Sequence, residues 1–220
     1  MICLLLLSLA ACTNNSYDSG DGTYSLMRAD FSDIHVNADK KADYMLTDDG
    51  DSLQFSSQIT NKYFTIPNTF YRALLYYNKV DGQAETLSLN LLGYFTPSLM
   101  SKMKTDSIFT DPVYFESAWK SKNGLYINIA INKLSGKVDS SDGLHVIGLM
   151  EDALVHNADG TRTAVVMLFH NQNKVPEYYT TKSYLTLPLS YFRKELLPGD
   201  KIKIRVNTYD KGIIEKTFDY

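Results

Sequence analysis

Four histidines could act as bases or metal ligands, His35, His145, His156 and His170, and they are scattered along the chain. A zinc hydrolase of the HExxH kind places two histidines one helical turn apart. That motif is absent, and His156 and His170 are too far apart in sequence to share a turn. Nucleophilic hydrolysis from a strained elbow needs GxSxG with a histidine base nearby, and no GxSxG occurs. With so few ligands on offer, His145 and His170 read as buried or hydrogen-bonded strand residues. Asp48, Asp49 and Asp51 put several oxygens on one short segment, as a calcium loop does, but lack the alternating ligands and terminal glutamate of an EF-hand. A hairpin turn accounts for them, and likewise for Asp139 with Asp142 and for Asn157 with Asp159. Lys201, Lys203 and Arg205 would line one strand face and could grip an anion. Their alternation with Ile202, Ile204 and Val206 reads instead as a solvated sheet face. Tyr76 with Tyr77, Tyr178 with Tyr179, and Trp119 could stack on sugars or bases. Adjacent tyrosines on a strand point to opposite faces, however, so at most one of each pair joins a platform, and Trp119 reads as core or interdomain packing. These residues compose no catalytic set, no metal site and no cofactor cradle.

The residue with a defined covalent chemistry is Cys12. Residues 2–11, ICLLLLSLAA, form an apolar run too short to span a bilayer but of the right size for the core of a secretory signal. The run ends in Leu9-Ala10-Ala11-Cys12, which resembles the bacterial lipobox, where small residues fit the peptidase and the cysteine sulfur takes the lipid. The alternative is an ordinary signal with a chance cysteine. Met1-Ile2-Cys3 carries no basic side chain, where a signal ordinarily begins with Lys or Arg; a start further upstream would supply it. Cleavage before Cys12 leaves a body whose later residues contain no cysteine, hence no disulfide and no thiol nucleophile. Residues 17–22, YDSGDG, have the composition of a tether.

The elements that must position such residues are strands. Tyr is far in excess among the aromatics, 16 against 10 Phe and 1 Trp, which favours β structure. Leu87, Leu89 and Leu91, then Ile127, Ile129 and Ile131, then Leu185, Leu187 and Leu189, then Ile202, Ile204 and Val206, all alternate with mostly polar neighbours. Period two marks a strand with one face in a core. AVVMLF at 164–169 and FYRALLYY at 70–77 are apolar on both faces and read as central strands. Asp81-Gly82, Asn123-Gly124, Asp142-Gly143 and Asp159-Gly160 tolerate the positive φ of tight hairpins, so antiparallel meanders are expected. Only residues 97–104 and 191–197 suggest helix, a short turn each. The charge balance, 22 Lys+Arg against 25 Asp+Glu for a net −3, argues against nucleic acid as a partner.

The strand rhythm breaks at 101–112, which sets the expected organisation. Residues 1–11 are the lipoprotein signal and 12–22 the tether; 23–100 form an OB-fold-like barrel, 101–112 a linker, and 113–220 an immunoglobulin-like β-sandwich. Leu196-Leu197-Pro198-Gly199-Asp200-Lys201-Ile202 resembles the corner before a late strand of fibronectin-type sandwiches, with Ile202 where those domains carry tyrosine. The corner hydrogen bond of that tyrosine would then be missing.

Several segments together resemble the NigD-like lipoproteins of Bacteroidetes: Cys12 in its lipobox, TDDGDSLQF at 47–55, TFYRALLYYNKV at 69–80, DPVYFESAWKSKNGLYINIAI at 111–131, FHNQN at 169–173 and KIKIRVNTYDKGIIEKTFDY at 201–220. Asp18 and Asp21 resemble the acidic residues that follow the lipidated cysteine in surface-exported lipoproteins of that phylum, with a solvated linker as the plain alternative. The resemblance implies an all-β chain, an OB-fold barrel followed by an immunoglobulin-like domain, and association with a bacteriocin gene cluster. The leading expectation is a non-catalytic protein of the cell envelope, on the outer membrane and open to surface exposure. It would be held to the membrane by lipid on Cys12 and bind a protein or glycan, with no nucleic acid and no cofactor. Bacteriocin immunity and an envelope hydrolase assembled only in three dimensions are the alternatives.

Overall fold

Alternating burial organises the chain as the period-two pattern requires. The structure, a computed structural model, describes residues 27–136 and 143–220; Cys12, Asp18, Asp21, Asp139 and Asp142 lie outside them. Five strands, β1 (Met27–Val36), β2 (Lys41–Thr47), β3 (Ser52–Thr60), β4 (Thr69–Val80) and β5 (Gln83–Leu91), close into a barrel in the order β1-β2-β3-β5-β4. Asp81 and Gly82 both take positive φ, 50° and 78°, and join β4 to β5 in the tight turn that such a pair permits. Ile34, Val36, Met45, Phe55, Ala73, Leu75 and Tyr77 fill the barrel, and Phe64 packs into the same core from the β3–β4 connection. On β4 the inward set is Ala73, Leu75 and Tyr77, while Arg72 and Leu74 on the other face are buried as well. That is why this stretch reads as apolar on both sides: one face lines the barrel, and the other, at Arg72, meets the second domain.

The remaining strands are β6 (Ser98–Leu99), β7 (Tyr114–Lys120), β8 (Tyr126–Ser135), β9 (Val146–His156), β10 (Arg162–Asn171), β11 (Tyr179–Pro188), β12 (Lys201–Thr208) and β13 (Gly212–Asp219). They form a five-stranded sheet, β13-β12-β10-β9-β6, and a three-stranded sheet, β11-β8-β7. Ile127, Ile129 and Ile131 of one sheet meet Val166, Leu168, Ile202, Ile204 and Val206 of the other. Each such side chain, fully buried, contributes about 1.5–3 kcal/mol. The chain is all-β, with an OB-fold-like barrel and an immunoglobulin-like sandwich, as the alternation predicts.

Two local expectations need adjusting. The sheets are not all antiparallel meanders: β10 runs parallel to β12, from Thr163 opposite Lys201 to Met167 opposite Arg205. The intervening β11 belongs to the other sheet, so the chain crosses over and returns in its original direction. The helical turns are 3-10 turns, Met100–Lys102 within the first expected stretch and Leu189–Phe192 overlapping the second. At the corner before β12, Ile202 is buried in the core and Asp200 closes the loop instead. Its carboxylate accepts from the Leu197 N–H at 2.7 Å and from Arg162 N–H at 2.8 Å, and pairs with the Arg162 guanidinium at 2.7 Å.

Candidate functional site

The outer face of the three-stranded sheet packs on the barrel, and the contact is built around one arginine. Arg72, mid-β4, projects from the barrel wall and its side chain has 0% exposure. Its guanidinium donates to both oxygens of Asp48, at 2.7 and 2.6 Å, and more weakly to Asp33 at 3.3 Å. Asp33 lies on β1 and Asp48 at the β2–β3 turn, so all three come from the barrel. The sandwich completes the cluster. Asn128 on β8 accepts from Arg72 at 3.1 Å and donates to Asp48 at 2.7 Å, while Thr186 on β11 donates to the Asn128 oxygen at 2.9 Å. The Arg72 guanidinium also lies 4.3 Å from the ring centroid of Tyr126. Burial works to lower the affinity of Arg72 for its proton, and the hydrogen bonds and charges of Asp48 and Asp33 outweigh it, so the guanidinium is held above its ordinary value. Beside the cluster, Phe31 of the barrel sits edge-on between Trp119 and Tyr184 of the sandwich, with centroid distances of 5.3 and 5.2 Å.

The cluster opens to solvent through two tyrosines. Tyr126 donates to Asp33 at 2.6 Å and Tyr94, in the connection between the domains, donates to the same carboxylate at 3.0 Å. Burial, reinforced by the Asp33 charge, pushes both phenols far above the ordinary tyrosine value, so both remain protonated donors. Their rings face each other at 5.9 Å and help line a groove of about 580 Å³, walled by Leu125, Pro188, Leu189 and Tyr220. A mostly apolar groove with a few convergent polar atoms at a domain junction is the ordinary form of a binding site.

The residues singled out in the sequence lie outside the hydrogen-bonded cluster itself, with one exception. His170 is fully buried, its Nδ1 3.0 Å from the Asp111 carbonyl and its Nε2 3.0 Å from His145 Nδ1. A carbonyl can only accept, so His170 carries its proton on Nδ1 and accepts at Nε2 from His145. Burial, with the neighbouring His170 and Lys133, lowers the affinity of His145 for a second proton. Among the described residues neither ring bonds a serine or a carboxylate, the pairing that an assembled hydrolase would need at these residues. A lysine does meet a serine elsewhere: the Lys133 ammonium donates to Ser183 Oγ at 2.7 Å. His35 is clasped by Asp43 at 2.6 Å and stacked on Tyr44, and His156 is exposed at the end of β9. Among the described residues no group of three or more His, Cys, Asp or Glu could hold a metal ion.

Asp49 and Asp51 make surface ion pairs with Lys122 and with Arg28 and Lys79, and Asp159 caps its own turn through Thr161. Asp48 is the exception: counted with the turn, it is in fact the buried partner of Arg72. Lys203 and Arg205 are balanced by Glu215 across the β12–β13 pair, and Arg205 also by Asp152, so the cationic row forms a solvated face rather than an anion grip. Tyr77 is buried with its hydroxyl on Asp30, and Tyr178 and Tyr179 are exposed. Trp119 packs between the domains through Phe31. What residue typing missed was Arg72 with Asp33, Asn128, Tyr94 and Tyr126. The available signal was a lone arginine inside an eight-residue apolar run, because an isolated charge there must find a buried counter-charge.

Comparison with known proteins fits this architecture. A family model described as the NigD-like C-terminal beta sandwich domain matches residues 96–220. A NigD-like immunity protein from Bacteroides caccae superposes with a TM-score of 0.68 at 28% identity, over 88% of this chain and 96% of that one. A protein of unknown function from Bacteroides vulgatus gives 0.66 at 18% identity, over 88% of this chain and 90% of that one. None of the curated protein sequences matches. With the family model spanning more than half of its residues, the chain belongs to the NigD-like family.

Proposed function

We propose that this is a non-catalytic, lipid-anchored protein of the cell envelope, acylated on Cys12 and carried on the outer membrane. It presents the barrel–sandwich junction to a protein or glycan. The observation that carries the binding role is the groove over the Arg72 cluster, which is apolar and open, walled by the sandwich and by Tyr94 of the connection, with Asp33 of the barrel beneath its two tyrosines. Support for the address comes from the lipobox at Cys12 and from the family. Three acyl chains would be ample for stable anchoring, since two lipid signals already suffice. Intact-mass analysis of membrane-purified protein tests the anchor: an acylated Cys12 at the mature terminus is expected, with release of C12A into the soluble fraction. An unacylated terminus would overturn it. Crosslinking in intact envelopes together with a glycan array tests the binding role; an empty result from both would sink it.

A second reading is bacteriocin immunity, favoured by the similarity to a NigD-like immunity protein. Deletion of the gene would then sensitise the cell to a toxin encoded beside it, and unchanged sensitivity removes the reading. For the envelope hydrolase, the Lys133–Ser183 hydrogen bond offers one pair to test, and labelling of Ser183 by a fluorophosphonate would revive that alternative.

A further inference from the structure

Most polar atoms of the junction groove can only accept. Both phenol hydroxyls, Tyr94 and Tyr126, spend their protons on Asp33 and therefore offer only lone pairs outward. Five of the backbone donors are spent too. Gly124 N–H goes to the Ser121 carbonyl, Leu125 N–H to Asn123 Oδ1, Tyr126 N–H to Ser121 Oγ and Leu189 N–H to the Leu125 carbonyl. Tyr220 N–H goes to the Asp200 carbonyl, and Pro188 has none to give. Among these groups the hydroxyls of Ser190 and Tyr220 remain, and hydroxyls accept as readily as they donate. Beneath the floor, the carboxylates of Asp33 and Asp48 face the single guanidinium of Arg72. Two lysines close in sequence to Gly124 are engaged elsewhere, Lys120 on the Asp219 carbonyl and Lys122 on Asp49. The groove is thus a place for a group that donates hydrogen bonds, carries positive charge and has a flat apolar face.

We propose that this groove anchors an arginine side chain of a protein partner. The inference rests on the binding role proposed above and names its chemistry. A guanidinium donates and never accepts, is weakly hydrated, and stacks on aromatic faces; Arg72 already does so against the inner side of Tyr126. A neutral sugar, which needs protein donors as well as acceptors, finds few here. An acidic peptide meets like charge.

The test uses the soluble full-length body with a blocked pentapeptide of central arginine flanked by alanines, and the same peptide with citrulline, its neutral isostere. Binding is followed by the backbone amide shifts of Gly124 and Leu125. The arginine peptide is expected to bind at least tenfold more tightly than the citrulline peptide. Leu125→Lys, at a residue 53% exposed, should weaken it at least fivefold with the melting temperature unchanged. Equal affinity for the two peptides, no shift at these amides, or an affinity that Leu125→Lys leaves alone would each overturn the assignment. Recovery of a partner by crosslinking while the arginine arm fails would reject this anchor and leave the binding role standing. Failure of crosslinking and glycan array alone would reject that role instead.

Discussion

Replacing Arg72 by methionine tests the cross-domain cluster most directly. Methionine keeps much of the apolar stem, so the change isolates the charge and its hydrogen bonds. Asp33 and Asp48, each 7% exposed, would be left buried without their cation, and Asn128 would lose one of its two donors. Breaking a buried ion pair from one side costs about 3–5 kcal/mol. In a chain of this size each kcal/mol moves the melting temperature by about 2–4 °C, so a fall of roughly 6–20 °C is expected by thermal circular dichroism. Much of that loss belongs to the stranded carboxylates and not to the value of the pair, because a whole buried pair replaced by neutral groups is often close to neutral. The triple variant R72M/D33N/D48N, which keeps the acceptors for Tyr94 and Tyr126, should therefore recover at least half of the loss. A single variant that melts within about 2 °C of the parent would refute the reasoning, and so would a triple variant no more stable than the single.

Other outcomes follow from the same geometry. Phe31→Ala removes the ring between Trp119 and Tyr184; it should cost about 2 kcal/mol and shift the emission of the sole tryptophan to the red. No change in that emission would place Trp119 outside the interface. His145, whose affinity for a proton is lowered by burial and by His170 and Lys133, contributes stability that is present above its ordinary value near 6.5. That contribution is lost as pH falls through the lowered folded value. Urea midpoints from pH 7.5 to 5 should accordingly fall more steeply for the parent than for His145→Gln. Glu151 behaves oppositely. Burial raises it, the Tyr191 hydroxyl bond at 2.9 Å partly counters this, and Glu195 adds to the rise. Its favourable contribution is present below the ordinary glutamate value and lost as pH rises through the raised one. Glu151→Gln should then unfold later than the parent at pH 8, with the gap closing near pH 4; a constant gap would contradict this.

Much of the fold was legible because half-buried strands leave a period-two trace. Ile127, Ile129 and Ile131 alternate in sequence and lie together in the core, and Asp81-Gly82 marked its hairpin by the φ values it tolerates. The site was less legible. Asp48 belongs by composition to a run of turn aspartates, and nothing in its type or spacing separates it from Asp49 or Asp51. The difference arises only when β4 brings Arg72 alongside from 24 residues away. Tyr126 and Tyr94 are joined through Asp33, which lies 93 and 61 residues from them, so the groove floor exists only once two domains have docked. The parallel pairing of β10 with β12 was hidden for a related reason: punctuation marks where a chain turns, not which sheet it enters next.

The barrel is stitched unevenly. Nine-residue β3 meets β5 at one paired position, Phe55 with Ala84, with the Ser56 hydroxyl on the Ala84 carbonyl beside it, whereas β1 and β4 pair along ten. Thermal breathing should begin at that hem. Amide protons flanking Phe55 and Ala84 would trade with solvent before those of β1 and β4, letting the lumen relax while the wall that carries Arg72 stays fastened to its neighbour.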